Sequence, residues 1–179
     1  EILNIIFRHQ GDETSYNIVW EIRLPRILAV IILGGALSVS GFLLQTFFNN
    51  PIAGPFVLGI SSGAKLIVAL LMIFFLSRSV SIGSGAMILA AFAGSMISMG
   101  FVLLVAKKVH NMSMLVISGV MIGYICSAIT DFVVTFADDS NIVNLHNWSL
   151  GSFSGMTWGN VQTMAAVVLL TMLVLLQRI

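Results

Sequence analysis

The sequence predicts an all-α fold, a polytopic transmembrane helical bundle, from its composition and from the length of its apolar runs. Of its 179 residues, 58% are hydrophobic and 8% are charged, whereas soluble domains carry about 25% charged residues. The mean hydropathy is +1.05. The first apolar run, residues 27–44, contains no charged residue and as a helix is about as long as the roughly 30 Å hydrocarbon core of a bilayer. The chain is therefore expected to cross a membrane several times.

Taken in order, the chain divides into a polar lead-in and about five spans. Residues 1–23 are predicted to lie outside the membrane with one short amphipathic helix, because their apolar run is too short to cross a bilayer. Residues 24–179 form the predicted transmembrane domain. Within it, spans A to E cover approximately residues 25–48, 55–76, 86–106, 114–136 and 161–176.

Two prolines and a serine mark the predicted starts of three spans. Pro25 and Pro55 stand where spans A and B begin, and proline is tolerated in a first helical turn because its missing N–H has no intrahelical partner there. Ser113 is the predicted N-cap of span D, since serine hydroxyls accept hydrogen bonds from free N–H groups at helix starts.

Small residues recur inside the spans. They include Gly41 in span A, Gly59 and Gly63 in span B, and Gly119 and Gly123 in span D. In lipid, where burial of apolar side chains does not drive helices together, small residues let two backbones approach closely. The pattern therefore predicts tightly packed spans.

A polar stretch, residues 137–159, separates spans D and E. It holds Asp138, Asp139, Trp148 and Trp158 but no Lys or Arg. Apolar residues within it, Leu145 and Trp148 among them, predict one more short helix, lying at the membrane surface.

Composition excludes several classes of site. The net charge of +1 provides no basic surface, so nucleic acid is not an expected partner. Cys126 is the only cysteine and is predicted to be a small packing residue, since it can form neither an internal disulfide nor a CxxC site. The histidines His9, His110 and His146 lack the spacing of a metal site. We predict no catalytic residue, metal or cofactor.

Residues 59–63 match two enzyme motifs superficially. The stretch reads G-x-S-x-G, which would make Ser61 or Ser62 the nucleophile of an intramembrane hydrolase, but that motif requires a strand-to-helix turn. Extended to Lys65, it also approaches a phosphate-binding loop, yet the spacing fails and Leu66 replaces the required hydroxyl. The hydrolase is kept as an alternative, and ATP binding by this motif is excluded.

Lys65 and Asp131 are the charges that lie well inside predicted spans. An ionisable residue within a membrane normally faces protein or a water-filled cavity and suggests a functional role. Three interpretations stay open: burial or snorkelling of each side chain, a mutual ion pair, or a role in substrate or proton movement. The last would make the protein an ion-coupled secondary transporter or channel using Lys65 and Asp131.

Short motifs that occur in order along most of the chain point to a family. They are Arg23-Leu-Pro-Arg26, Gly35-Ala-Leu-Ser-Val-Ser-Gly41, Asn50-Pro-Ile-Ala53, Pro55, Leu58-Gly59, Gly63-Ala64, Leu115-Val-Ile-Ser-Gly-Val-Met-Ile-Gly123 and Leu150-Gly151-Ser152. In these motifs the sequence resembles the FecCD-type permease family, the membrane subunits of ABC importers for ferric siderophores, haem and cobalamin.

The resemblance implies a transport subunit with defined partners. Family permeases have about ten spans, sit in the bacterial plasma (inner) membrane and pair with a second permease copy, as a homodimer or heterodimer. A solute-binding protein delivers the substrate outside and ATPase subunits drive import from inside, so the chain itself is not expected to be an enzyme. Iron transport is the expected activity, with a siderophore as cargo and haem or cobalamin as alternatives.

The resemblance also implies roles for particular residues. Arg23 and Arg26 would lie outside and dock acidic groups of the binding protein. The candidates for the translocation pathway and its outer gate are Asp131, Asp138, Asp139 and Ser140. The helix-break and packing motif comprises Pro25, Gly41, Asn50, Pro51, Pro55, Gly59 and Gly63.

The resemblance covers only part of the family's length. It places spans A to E as the family's second to sixth helices, so that the first helix would precede Glu1 and the C-terminal half would follow Ile179. The chain begins with Glu rather than Met, which agrees with this interpretation. We expect the chain to be the N-terminal portion of a longer permease, lacking the first helix.

Overall fold

The fold was described from a computed structural model that covers residue 5 and residues 12–76, 83–109 and 111–177. Every regular element in these ranges is helical. The elements are α1 (Glu13–Asn17), a π-helical turn (Ile18–Arg23), α2 (Leu24–Phe48), α3 (Ile60–Leu76), α4 (Ser84–Ala106), α5 (Met112–Val134), α6 (Asp139–Leu150) and α7 (Trp158–Leu176). Spans A, B, C, D and E correspond to α2, α3, α4, α5 and α7.

The first described helices form one continuous segment, Glu13–Phe48, of 36 residues. In its π-helical turn the N–H of Leu24 donates to the carbonyl of Val19, five residues back. A proline in a regular α-helix clashes with the carbonyl four residues earlier, and the wider π turn just before Pro25 relieves that crowding. Pro25 therefore lies inside a helix rather than at its start. The predicted amphipathic helix of the lead-in falls largely outside the described residues.

The connection between α2 and α3 is longer than the sequence pattern indicated. We predicted that Pro55 begins the helix of span B, and this is wrong: residues 51–59 form turns and short irregular segments, and α3 begins at Ile60. Gly59 has a φ of +73°, a left-handed conformation that cannot continue into a right-handed helix. The helix consequently starts after Gly59.

Helices α3 and α4 pack antiparallel inside a compact unit that comprises Ser40–Gly151. Gly63 of α3 lies against Gly94 and Ser98 of α4, whereas Ile67, one turn later on α3, lies against Gly94. The missing side chains of Gly63 and Gly94 allow the two backbones to touch, as expected for helices packed in lipid. Beyond this crossing, Val68 and Ala69 pack with Ala90 in an apolar cluster.

Helices α3 and α5 also cross closely, but they run in the same direction. Gly59, just before α3, lies against Gly119 and Gly123 of α5, and Ser62 further along α3 bonds Ser127 further along α5. The small residues that the sequence placed in these two spans therefore lie at their mutual contact.

The predicted short helix between spans D and E exists as α6, and its position at the membrane surface stays a prediction. α6 begins just after α5 ends and turns back along α3. Its Leu145 is buried against Val68, Ala69 and Met72 of α3. α6 therefore contacts α3 through Leu145, whereas its Val143 and Leu150 side chains are exposed.

A second compact unit comprises Glu1–Val39 and Ser152–Ile179. Within it, the indole N–H of Trp158 donates to the carbonyl of Trp20 at 3.0 Å, and the two rings lie 5.9 Å apart. The hydroxyl of Thr157 accepts a hydrogen bond from the N–H of Asn160 and caps α7. These contacts anchor the start of α7 on the segment that precedes α2.

Within the described ranges, four helical segments are long and apolar enough to cross a membrane: Glu13–Phe48, Gly85–Ala106, Ser113–Val134 and Trp158–Leu176. The apolar part of α3, Ile60–Phe75, is shorter. The predicted all-α, polytopic transmembrane fold is confirmed. The predicted N-cap of span D is wrong, because Asn111 rather than Ser113 caps α5 by accepting a hydrogen bond from the N–H of Ser113.

Candidate functional site

The two arginines proposed for docking lie close together on one helical segment. Arg23 ends the π-helical turn and Arg26 lies three residues later in the first turn of α2, so their side chains leave neighbouring parts of the helix surface. Both are exposed, and within the described part of the chain neither has an ion-pair partner. Such guanidinium groups can bind carboxylates through paired hydrogen bonds. Their docking role stays a prediction.

The Asn-Pro motif forms a tight turn after α2. The N–H of Ala53 donates to the carbonyl of Asn50 at 3.1 Å, and the Asn50 side chain accepts a hydrogen bond from the N–H of Ile52 at 3.0 Å. Pro51 occupies the second position of this turn, where its fixed φ is favourable. Ala53 is completely buried, so the turn points into the core rather than into solvent.

Gly59 is needed at its position for two independent reasons. Its φ of +73° is strained for any residue with a side chain, and a Cβ there would lie 2.7 Å from the carbonyl oxygen of Gly119 and 2.8 Å from the nitrogen of Gly123. Both neighbours are backbone atoms that cannot rotate away. A Cβ on Gly63 would likewise overlap Ser98 and Gly94. The packing motif thus fixes the start of α3 against α4 and α5.

Gly41, unlike Gly59 and Gly63, has no close neighbour in the described part of the chain. No heavy atom lies within 4 Å of the position that a Cβ on Gly41 would occupy. Pro55 is half-buried in the turns before α3, and Pro25 is buried inside the continuous first helix. A packing role for Gly41 stays a prediction.

Three of the four gate candidates lie together at the start of α6. Asp138 is the N-cap residue of this helix, Asp139 and Ser140 are its first residues, and all three side chains are exposed. Carboxylates at a helix N-terminus are stabilised by the helix dipole, which explains this local pattern without a ligand. Asp131 lies on the preceding helix, α5, and is also exposed. Their role at a gate stays a prediction.

A polar cavity of about 530 Å³ lies among α3, α4, α5 and α6. Its polar lining consists of one lysine and five serines: Lys65, Ser61, Ser62, Ser95, Ser127 and Ser149. Phe56, Ile60, Ala64 and Trp148 complete the wall. Sequence reasoning singled out Lys65 but missed the cavity, because Ser95, Ser127 and Ser149 come from three other helices and only the packing described above brings them to α3.

Lys65 and Asp131 are not paired in the part of the chain that the structure describes. Lys65 is half-buried in the cavity wall, whereas Asp131 is exposed and does not line the cavity. The structure records no salt bridge for either residue among the described ones. The mutual ion pair is therefore the least supported of the three interpretations of these charges.

The surroundings of Ser61 and Ser62 do not resemble a hydrolytic centre. Among the described residues that line the cavity with both serines there is neither a histidine nor a carboxylate, one of which would be needed to activate a hydroxyl as a nucleophile. Gly59–Gly63 lies at the start of a helix that follows a turn, not a strand. Among the described residues no group of three or more His, Cys, Asp or Glu side chains is arranged to hold a metal ion.

Known proteins are similar to this chain over nearly all of its length. Residues 1–179 match the FecCD transport family. The vitamin B12 import system permease protein BtuC of Escherichia coli O6:H1 is 37% identical over 150 residues, which are 84% of this chain and 45% of that protein. BtuC of Shigella boydii serotype 18 is likewise 37% identical over 84% of this chain and 45% of its own length. The chain thus spans about half the length of these relatives.

One solved structure has a similar fold. It is described as a metal-chelate type ABC transporter in an inward-facing conformation, and it superposes with a TM-score of 0.79 over 94% of this chain and 52% of that chain. The sequence identity is 24%, so this likeness is used for the fold alone.

The family match and the apolar helices bear on both the family and the membrane location of the chain. The family match covers the whole chain, and the apolar helices are long enough to cross a bilayer repeatedly. The predicted multi-pass location in a bacterial inner membrane is confirmed. The predicted family is confirmed as well. The chain belongs to the FecCD transport family.

Proposed function

We propose that this chain is part of the membrane-spanning permease subunit of a binding-protein-dependent ABC importer. The observation that carries the proposal is the match to the FecCD transport family over residues 1–179. The BtuC relatives, which are vitamin B12 import permeases, support the same class of activity. In this proposal the chain is the N-terminal portion of a longer permease, and ATP is hydrolysed on separate subunits inside the cell.

The proposed mechanism is alternating access between an outward-open and an inward-open state. A loaded binding protein docks acidic groups on Arg23 and Arg26, and the substrate then enters between two permease copies. Asp131 and the start of α6, with Asp138, Asp139 and Ser140, line the pathway near its outer gate. ATP-driven rocking of the helices opens the inner side.

The packing of α3, α4 and α5 supports rocking of helices as a group. At Gly59 the backbone contacts α5 directly, and at Gly63 it contacts α4 directly. At these two crossings no side chain separates the backbones, so α3 cannot slide far without a clash. We therefore expect α3, α4 and α5 to move together during rocking. Sliding of one helix along another is expected at other helix contacts. The face of α2 that contains Gly41 is one place where a moving partner helix can approach.

The proposed cargo is a ferric siderophore, with haem or cobalamin as the alternatives. The siderophore is proposed from the motifs that the chain shares with the family, whereas the 37% identity to BtuC supports cobalamin. The motifs are common to importers of all three cargoes. A direct comparison of cargoes is therefore part of the test below.

The experiment is uptake by the complete permease, reconstituted in proteoliposomes with its ATPase subunits and binding protein. Arg23→Glu with Arg26→Glu is expected to weaken binding-protein docking at least tenfold, because two attractive charge pairs become repulsive. Arg23→Lys with Arg26→Lys, the matched control, retains the charges and is expected to lose less. Uptake of a ferric siderophore, haem and cobalamin is measured for each variant.

The same experiment distinguishes the ABC importer from the alternative, an ion-coupled secondary transporter or channel. That mechanism requires a titratable group inside the membrane, so Asp131→Asn would abolish uptake while charge reversal at Arg23 and Arg26 would be tolerated. The importer predicts the opposite pattern. Loss of uptake with Asp131→Asn alone, with unchanged uptake after reversal of the arginines, would contradict the proposed function.

A further inference from the structure

The cavity beside α3 holds a positive charge without a partner among the described residues. Among the described residues, Lys65 is the only charged one in the cavity lining, and no described carboxylate forms an ion pair with it. An ammonium group inside an apolar helix is costly unless it is paired or faces a polar cavity. The cavity provides that polar surrounding, so Lys65 gives it a positive potential.

Two helix ends also line the cavity, and their partial charges oppose each other. Ile60 lies at the positive start of α3, whereas Trp148 and Ser149 lie in the last turn of α6, near its negative end. Each helix end carries about half an elementary charge, of opposite sign. The two nearly cancel, so that about one positive charge, the ammonium of Lys65, remains in the cavity.

Two serines place hydrogen-bond donors beside this ammonium. Ser61 and Ser62 precede Lys65 by four and three residues on α3, so the three side chains share one face of the helix. Within the described part of the chain, the O–H of neither serine donates a hydrogen bond, although the Ser62 oxygen accepts one from Ser127. The other hydroxyls in the lining already donate hydrogen bonds, at 2.8–3.4 Å, from Ser95, Ser127 and Ser149.

One ammonium and two hydroxyl donors have the chemistry of a carboxylate site. A carboxylate has one negative charge and two acceptor oxygens, which match one cation and two donors. A phosphate carries up to two charges and three acceptor oxygens and would leave part of both unmatched. The cavity of about 530 Å³ is within the range of small-molecule sites, about 300–1,000 Å³, and has room for a limb of a larger molecule.

We propose that the cavity formed by Lys65, Ser61 and Ser62 binds a carboxylate group of the transported molecule, so that a carboxylate-bearing, anionic metal chelate is the preferred cargo. This inference rests on the proposed function. It makes Lys65 a specificity-determining residue, since an uncharged or cationic chelate gains nothing from it.

The experiment measures the charge preference of the cavity without requiring transport. In the complete permease with its ATPase subunits, Cys126 and every other native cysteine are replaced by alanine, and Ser149→Cys places a single reporter thiol in the cavity wall. The reporter is labelled with an anionic and a cationic methanethiosulfonate reagent of similar size. The anionic reagent is expected to react faster, and Lys65→Met is expected to lower the anionic-to-cationic rate ratio about tenfold.

Control variants show whether the charge itself is responsible. Lys65→Arg keeps the charge and is expected to preserve most of the ratio. Lys108→Met removes an exposed positive charge that does not line the cavity and is expected to change the ratio little. An unchanged ratio after Lys65→Met would overturn the inference. Failure of both reagents to react would overturn it too, because the assembled cavity would then be closed to small anions.

Protection from labelling identifies the chemical class of the ligand. Ferric citrate, a carboxylate-rich chelate, is expected to slow labelling when Lys65 is present and not after Lys65→Met. Sodium chloride at equal ionic strength and an uncharged ferric hydroxamate are expected to give no protection. Equal protection by chloride would show an inorganic-anion site and contradict the inference, as would the absence of protection by ferric citrate.

The two proposals can fail separately. ATP-driven uptake that is insensitive to Lys65→Met, with no charge preference in the labelling, would refute the carboxylate site and leave the importer intact. A Lys65-dependent charge preference in a protein without ATP-driven uptake would refute the importer, and with it the identity of the bound molecule as cargo.

Discussion

Replacement of Gly59 by alanine tests whether the contact between α3 and α5 is as close as the structure shows. A Cβ at this position would lie 2.7 Å and 2.8 Å from backbone atoms of Gly119 and Gly123, well inside van der Waals contact. Neither atom can move without displacing α5. The two helices must therefore separate by several tenths of an ångström, or α3 must shift along its axis.

The expected cost has two parts. A left-handed φ costs an alanine about 1–2 kcal/mol relative to glycine. Overpacking of a closely packed contact costs about 1–3 kcal/mol more. Gly59→Ala should therefore lower the free energy of unfolding by about 2–5 kcal/mol, an amount that is large relative to the stability of most proteins.

Gly155 is a matched control for the backbone cost of a left-handed φ. It also has a positive φ, +79°, but no atom lies within 4 Å of the position that its Cβ would occupy. Gly155→Ala should therefore show only the backbone cost, about 1–2 kcal/mol. The difference between the two variants measures the helix contact itself.

The assay is reversible unfolding of the complete permease in mixed micelles, followed by circular dichroism as the SDS fraction rises. The account predicts that Gly59→Ala loses at least about 1 kcal/mol more than Gly155→Ala. Equal losses in the two variants would mean that α3 and α5 are not in backbone contact. The proposal that α3, α4 and α5 move together would then be contradicted.

Three further contacts give predictions for the same unfolding assay. Leu145→Ala should cost about 2–4 kcal/mol because Leu145 is 4% exposed against α3, whereas Leu150→Ala, at a residue 71% exposed, should cost little; similar losses would mean that α6 does not pack on α3. Asn111→Ala should cost about 1 kcal/mol through loss of the α5 cap, and Asn111→Ser should recover most of it; no recovery would exclude capping as the cause. Trp158→Phe keeps an aromatic ring but removes the 3.0 Å hydrogen bond to Trp20, and should cost about 0.5–1.5 kcal/mol; an unchanged stability would show that this bond does not anchor α7.

The helical spans could be predicted because a bilayer imposes a simple rule on sequence. A helix that crosses lipid must be apolar for nearly its whole length, so composition alone indicates where α2, α4, α5 and α7 lie. The small residues at Gly59 and Gly63 were also visible, and the structure places both at helix crossings.

The start of α3 could not be predicted from Pro55 alone. Proline is compatible both with a first helical turn and with an irregular segment. The choice depends on Gly59, whose left-handed φ and close approach to α5 are consequences of tertiary packing. A local pattern does not contain that information.

The position of α6 has a similar explanation. Its apolar residues would suit the surface of a membrane or a groove between helices equally well, and nothing in its own sequence distinguishes the two. Leu145 is buried only because α6 turns back toward Val68 and Ala69. The Lys65 cavity was missed for the same reason, since its lining residues come from four successive helices that only tertiary packing brings together.

The most direct test of the central claim is the energy source of transport. The complete permease is reconstituted with its ATPase subunits and binding protein and is supplied with a labelled ferric siderophore, haem or cobalamin. Uptake is then measured under three conditions: in the presence of ATP, in the presence of ATP and vanadate, and under an imposed proton or sodium gradient. The account predicts uptake of at least one cargo that requires both ATP and the binding protein and stops with vanadate. Uptake driven by an ion gradient without ATP or binding protein would contradict it.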